Sequence, residues 1–431
     1  AELLAQVPIH AQMMEEIIAL EDPVLFHHPQ VLCADKGFEN CSGDVRVVIA
    51  AEGVANVVQQ CAHHILFVAA VTPGTAGGLQ GVGQAIHREA AEIAVTQTFK
   101  SLDKGNKSLQ IGMVVTDKYT GGIAAMVGDK TPGFDGYNRA VEIRRPIGSL
   151  IKPFVYATAL APNSKFTLAT PLKDQPITLK NEQGKTWSPQ NFDKTFSGQV
   201  SLLTALKKSM NVPTVNLGIA VGVDAVVTTL AKSGWSEPLN EYPSMLLGAV
   251  NGSPLMVAQV YQTLADSGAY RKLTTVTAVL DSDNQPLPVT RSAKEQAITP
   301  DTDFLVQYAM QQVVRSGTAT RLGNAFPGVA LAGKTGTSND SRDSWFAGFD
   351  ERNVAAIWVG RDDNGKTSLY GSSGAMAVYQ AFLKERPPIG LRSIPPSGVI
   401  QGYFDRDTGE AKEAGCSNTE ALPALRGTYN P

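Results

Sequence analysis

VALAGKTGTSNDSRDSWFAGFDERNVAAIWV, Val329 to Val359, holds three runs of strand-forming residues separated by two polar turns. Val329 to Lys334, Ser344 to Gly348 and Asn353 to Val359 are short, rich in apolar residues and bounded by Ser, Asn, Asp and Arg. That pattern predicts three consecutive antiparallel strands. Upstream, Ile111 to Thr116 and Ile123 to Val127 flank the turn-rich Asp117-Lys118-Tyr119-Thr120-Gly121-Gly122, which predicts a hairpin able to complete a five-stranded sheet. Helical spacing links Val82, Ile86, Ala90, Ile93, Phe99 and Leu102. Further helices are expected over 146–161, over 254–266 and over 301–315, the last following Pro300 with Asp301 or Thr302 as its cap. Helices, a hairpin, more helices and a final meander make an α+β fold with helices packed on an antiparallel sheet. Residues after Pro387, rich in Pro and Gly, read as a loosely structured tail.

The chain has 431 residues and a net charge of -3, with acidic and basic residues mixed along its length, so no nucleic-acid surface is expected. The longest apolar stretch, around Ile65 to Val71, is too short to span a bilayer. Four cysteines, Cys33, Cys41, Cys61 and Cys416, are sparse for this length, which suits an extracytoplasmic protein with few or no disulfides. All six histidines lie at or before His87. A Ser-His-Asp triad built within the C-terminal three quarters is thereby excluded.

What those three quarters contain instead is Ser149-Leu150-Ile151-Lys152, then Ser209-Met210-Asn211, then Lys334-Thr335-Gly336-Thr337. A serine hydroxyl needs a neighbouring base. Position i+3 on a helix puts Lys152 on the face of Ser149, and Pro153 fits only a first turn, where a missing N–H breaks no helical bond. A free lysine is almost wholly charged at neutral pH, so burial and a second cation, with Lys334 the candidate, would have to depress Lys152. Ser209 offers a hydroxyl to relay protons and Asn211 an amide to grip a peptide group. Lys334, Thr335 and Thr337 could hold a carboxylate, and Gly336 leaves room where a substrate backbone could approach. Two decoys fail on context. Ser101-Leu102-Asp103-Lys104 sits at a helix end, and Ser282-Asp283-Asn284 lies in turn composition before Pro286.

On these motifs the chain resembles the transpeptidase domain of class A penicillin-binding proteins, the bifunctional peptidoglycan synthases, most closely the 1b type. The likeness extends to Tyr137-Asn138-Arg139-Ala140, Arg144-Arg145, Trp187 to Asn191, Ser209 to Gly218, Met245 to Ala249, Ala332 to Thr337, Asp343 to Gly348 and Tyr370 to Ala375. It implies the penicillin-binding-protein/serine β-lactamase-like fold, with residues 81–387 as transpeptidase domain, 1–80 unassigned and 388–431 as tail. It also implies that Ser149 attacks a D-alanyl-D-alanine stem peptide and that penicillins trap the same serine. Lys152 would be the base, Ser209 the proton relay, Asn211 the amide ligand, and Lys334, Thr335 and Thr337 the carboxylate ligands. Backbone N–H groups of Ser149 and Thr337 would form the oxyanion hole. No metal or cofactor is implied. Expected partners are stem peptides, β-lactams and cell-wall synthesis proteins. The expected location is the periplasmic face of the inner membrane, held by a transmembrane helix outside this chain. Glu21-Asp22 with Phe26 and His28 is similar to the glycosyltransferase signature of full-length relatives, but the phenylalanine is one position late and fewer than about 80 residues precede the transpeptidase, so polymerising activity is not expected.

Three alternatives follow from the same residues. A β-lactamase needs a group to activate deacylating water, and Glu237-Pro238-Leu239-Asn240 is one residue short of the E-x-x-L-N pattern. A DD-carboxypeptidase differs only in using water as acceptor. A catalytically idle β-lactam sensor or cell-wall scaffold would keep the fold without turnover.

Overall fold

Burial on both faces explains why the central strands read as nearly continuous apolar runs. The computed structural model describes residues 76–134, 136–180, 184, 186–276 and 292–431. Glu21-Asp22, His28, Cys33, Cys41, Cys61 and the Ser282-Asp283-Asn284 decoy lie outside the described residues. The chain falls into two units, Ala1–Ile86 with Leu273–Ala293, and His87–Lys272 with Lys294–Pro431. Of the first, the described part is the opening of a helix and a turn in which the Thr274 hydroxyl accepts from the Val276 N–H at 3.1 Å. The second unit carries the predicted elements and all three motifs.

Along the chain, α1 (Ala76–Gly105) precedes β1 (Leu109–Asp117) and β2 (Ile123–Val127). A 3-10 turn, Gly148–Ile151, runs into α2 (Lys152–Ala159). Then come α3 (Leu202–Lys207), α4 (Asn211–Val221), α5 (Pro254–Ala265) and α6 (Pro300–Ser316). The meander β3 (Ala332–Thr337), β4 (Ser344–Phe349) and β5 (Asn353–Arg361) precedes α7 (Ala375–Glu385). The sheet is five-stranded, ordered β3-β4-β5-β1-β2, and every neighbouring pair is antiparallel. Alternate β1 residues Ile111, Met113 and Val115 join Ala91, Ala94 and Val95 of α1 and Met376, Tyr379 and Phe382 of α7 in one core. From the other face Thr116 donates to Gln262 Oε1 of α5 at 2.6 Å. Each large apolar side chain so buried contributes about 1.5–3 kcal/mol. β3 is left as an edge strand, flanked by α6.

Two expectations are corrected. α6 begins one step earlier than read. Thr299 is its cap, with the hydroxyl accepting from the Thr302 N–H at 3.4 Å, and Pro300 takes the first helical position, where its missing N–H breaks no bond. The C-terminal residues are not a loose tail. They form a three-stranded antiparallel sheet of β6 (Val399–Asp405), β7 (Ala411–Lys412) and β8 (Thr419–Leu425), ordered β7-β6-β8. Val399, Phe404, Leu422, Ala424 and Leu425 are buried, and the Phe404 ring meets Tyr429 edge-on at 5.6 Å. Of the glycines and prolines that suggested disorder, Gly409 and Gly415 lie in the turns between these strands, Gly402 and Pro423 lie within β6 and β8, and Pro395, Pro396 and Gly398 precede β6.

Candidate active site

Ser149 sits on the 3-10 turn, half-buried, three residues before the start of α2, with Pro153 inside the first helical turn as the sequence required. The turn is fixed from three sides. Ile147 N–H donates to Val250 O at 3.0 Å, Gly148 N–H to Gly248 O at 3.1 Å, and the Tyr261 hydroxyl to Leu150 O at 3.0 Å. Gly148 has φ +56°, and a Cβ there would lie 2.7 Å from Thr337 O. Only glycine lets the turn that carries Ser149 press against the end of β3. The same contact explains Gly336, whose Cβ would lie 2.9 Å from Ile147 O and 3.0 Å from Leu150 Cγ. The close backbone approach expected at Gly336 is therefore made by the chain's own segment around Ser149.

The S-x-N motif is positioned by how α3 ends. Ser209 N–H donates to Leu206 O at 3.0 Å and Met210 N–H to Ala205 O at 2.8 Å, a Schellman closure. Its left-handed position is Ser209 itself, at φ +56°. A residue with a Cβ is disfavoured there by about 1–2 kcal/mol, and what the strain positions is the hydroxyl. Asn211 opens α4, whose N-terminus has no side-chain cap of its own. The buried Asn191 supplies one, its Oδ1 accepting from the N–H groups of Asn211 at 2.9 Å and Val212 at 3.1 Å. Asn191 is held in turn by Asp174 Oδ1 at 2.7 Å. Asn211 Nδ2 donates to Gln190 O at 2.8 Å, which fixes the amide's orientation.

Two fully buried lysines meet at Ser209. Lys334 Nζ donates to Ser209 Oγ at 2.7 Å and Thr335 O at 2.9 Å. Lys152 Nζ donates to Ser209 O and Asn211 Oδ1, both at 2.7 Å, and to Met210 O at 3.1 Å, and lies 3.5 Å from Ser209 Oγ. Burial, reinforced by the Lys334 cation, pulls Lys152 well below the usual lysine range. Burial alone brings Lys334 down to about 7. Lys334 can thus exchange a proton near neutrality, and the Ser209 hydroxyl lies between the two amines.

All the predicted residues converge, but not each in its expected contact. Among the described residues the Ser149 hydroxyl makes no hydrogen bond, and Lys152 reaches the S-x-N turn rather than the serine one turn away. The Thr335 hydroxyl pairs with that of Thr318 at 2.7 Å, and Thr337 Oγ1 accepts from Gly371 N–H at 3.1 Å. Thr318 is new to the site, and no sequence signal marks it. Asn191 was visible as part of the Trp187 to Asn191 likeness, though without a role. The rejected Ser101 is exposed near the end of α1, and Glu237 pairs at the surface with Arg144 at 3.0 Å. Among the described residues no cluster of ligating side chains could hold a metal, and no single helix is long and apolar enough to cross a membrane.

Residues 111–384, which span both the hairpin and all three motifs, match the penicillin-binding protein transpeptidase domain. The chain belongs to this family. Penicillin-binding protein 1B of Vibrio cholerae is 43% identical over 341 residues, 79% of this chain and 43% of the relative. That of Escherichia coli is 43% identical over 327 residues, 75% of this chain and 39% of the relative. The chain thus spans about two fifths of the length of these relatives. Among solved structures, penicillin-binding protein 1A from Haemophilus influenzae aligns with a TM-score of 0.69 at 23% identity, over 75% of this chain and 54% of that one. PonA1 from Mycobacterium tuberculosis aligns with a TM-score of 0.63 at 20% identity, over 77% of this chain and 89% of that one. The shared fold is the transpeptidase α+β fold with its five-stranded sheet.

Proposed function

We propose that this transpeptidase domain cross-links peptidoglycan stem peptides through an acyl-enzyme on Ser149, and that β-lactams acylate the same serine. The observation that carries the reading is the Ser209 hydroxyl held at 2.7 Å from Lys334 Nζ and 3.5 Å from Lys152 Nζ, next to the turn that bears Ser149. Neutral Lys152 takes the Ser149 proton as Oγ attacks the carbonyl of the penultimate D-alanine. The Ser149 and Thr337 N–H groups hold the oxyanion, each donor being worth about 2.7–4 kcal/mol. The proton passes through Ser209 to the departing D-alanine amine, and the C–N bond breaks. An amine of a neighbouring stem then attacks the ester, and its proton returns along the same path to Ser149.

In this assignment Asn211 Nδ2, whose second hydrogen is not used by Gln190, binds the substrate amide. Lys334 with the Thr335–Thr318 hydroxyl pair and Thr337 receives the terminal carboxylate, and the open edge of β3 accepts the peptide as an added strand. The site belongs on the periplasmic face of the inner membrane, where stem peptides are found. Glycan polymerisation is not assigned to this chain.

Labelling with a fluorescent penicillin tests the first half-reaction, with Ser149→Ala as control. Label that persists in folded Ser149→Ala, or that never forms on the wild type, refutes the assignment. With a stem-peptide polymer as substrate, cross-linked dimers are the expected product. Trimmed monomers alone would make water the acceptor.

A further inference from the structure

Asp343 is buried at the foot of β4 and has no part in the steps above, yet it ties together the segments that bear the two oxyanion donors. Its Oδ2 accepts from the Ser338 hydroxyl at 2.5 Å, its own N–H donates back to Ser338 Oγ at 3.0 Å, and Ser338 N–H donates to Asp343 O at 3.1 Å. These bonds close the loop that begins immediately after Thr337, the last residue of β3. The other carboxylate oxygen accepts from Trp358 Nε1 on β5 at 2.9 Å and lies 4.0 Å from Arg145 Nε, four residues before Ser149. Arg145 is itself anchored to the carbonyls of Arg361 at 2.8 Å and Asp362 at 2.9 Å. Beside it the Trp345 indole donates to Pro146 O at 2.9 Å. One carboxylate therefore links the residue after Thr337, the middle of the sheet and the approach to Ser149.

We infer that Asp343 is a positioning residue for the oxyanion hole. The inference rests on the acyl-transfer reading of the site. Thr337 O lies 2.7 Å from where a Cβ on Gly148 would be, so the two backbone segments leave no slack between them. Without the Ser338–Asp343 closure β3 is free to fray at Thr337, and its N–H loses alignment with that of Ser149. The lost alignment is felt where negative charge develops, in the acylation step, and not in ground-state binding.

The test is stopped-flow acylation by a chromogenic cephalosporin, separating the acylation rate constant from the half-saturation concentration. Asp343→Asn and Ser338→Ala should each slow acylation about 10-fold or more, short of the 10²–10³-fold of a donor removed outright. The half-saturation concentration should stay within about two-fold. Ser338→Thr restores the hydroxyl and should recover the rate. Phe404→Leu, in the distant C-terminal sheet, should lower the melting temperature and leave acylation unchanged. Folded Asp343→Asn that acylates at the wild-type rate overturns the inference, as does a defect confined to half-saturation or one matched by Phe404→Leu. A wild type that the cephalosporin never acylates instead overturns the acyl-transfer reading, and the inference falls with it.

Discussion

Replacing Lys334 with methionine should stabilise the protein while disabling it. Lys334 is fully buried, and burial lowers its pKa from 10.5 to about 7. That difference corresponds to about 5 kcal/mol between its two protonation states. The sign follows from which state holds the proton. Between pH 7 and 10.5 the unfolded lysine is charged while the folded one is neutral, so unfolding takes up a proton and stability rises with pH at about 1.4 kcal/mol per pH unit. Below about 7 both states are charged and the whole burial penalty stands. Methionine removes it, at the expense of the bond to Thr335 O, whose lost partner costs about 1–3 kcal/mol. Ser209 Oγ still has Lys152 Nζ at 3.5 Å. The net gain expected near pH 6.5 is about 2–4 kcal/mol, within the range seen when buried charges are replaced by apolar groups. It should shrink steadily as the pH rises towards 10. Urea denaturation of wild type and Lys334→Met at several pH values measures this, alongside penicillin acylation, which should fall on the order of 10²-fold or more. A variant less stable than wild type at pH 6.5, or a stability difference unchanged between pH 7 and 9.5, would refute the reasoning.

Substitutions at three further positions, Ser209, Gly148 and Asn191, probe the framework of the site. Ser209→Gly and Ser209→Ala both remove the hydroxyl proposed as proton relay and should slow acylation equally, but glycine relieves the left-handed φ of +56°, so it should be about 1 kcal/mol the more stable in denaturant titrations. Equal stabilities would mean that the strain is not real. Gly148→Ala places a Cβ 2.7 Å from Thr337 O at a φ of +56°, and should lose most acylation and more than about 1 kcal/mol of stability. Acylation at wild-type rate would contradict the packing described. Asn191→Ala uncaps α4 and frees the Asn211 and Val212 N–H groups, costing about 1–2 kcal/mol by thermal melting. A change in melting temperature with no change in acylation would show that the cap does not set the position of Asn211.

Where local pattern dictates structure, the sequence was readable. The meander from Val329 to Val359 and the hairpin at Ile111 announced the sheet because strand, turn and strand are consecutive, and Pro153 located the helix start because proline tolerates few other positions. What stayed hidden depends on partners far along the chain. Gly148 is essential because of Thr337, Asn211 is capped by Asn191, and the Thr335 hydroxyl is taken by Thr318. Ser209 was found as a hydroxyl, but its left-handed backbone was not, since that position in a Schellman closure is ordinarily glycine. The C-terminal sheet was missed because Gly402 and Pro423 interrupt its strands and Pro395, Pro396 and Gly398 crowd its start, so no strand reads as a clean apolar run.

In the proposed mechanism, the expected contact of Lys152 with Ser149 and its observed contacts with the S-x-N turn belong to different protonation states. An ammonium has three hydrogens, and the turn offers three carbonyl oxygens within 3.1 Å, two of them at 2.7 Å. Those bonds favour the charged form, while burial and Lys334 oppose it. A neutral amine has only two hydrogens. The two short acceptors, Ser209 O and Asn211 Oδ1, can keep them, and the longer bond to Met210 O is the one released. The freed position carries the lone pair, and in the mechanism proposed above the amine must move off Met210 O to turn that pair towards the Ser149 proton. In that mechanism the turn that holds Lys152 as a cation keeps two bonds to it when it acts as the base. In the proposed mechanism the strained Ser209 thus serves twice, its carbonyl orienting the amine and its hydroxyl carrying the proton away.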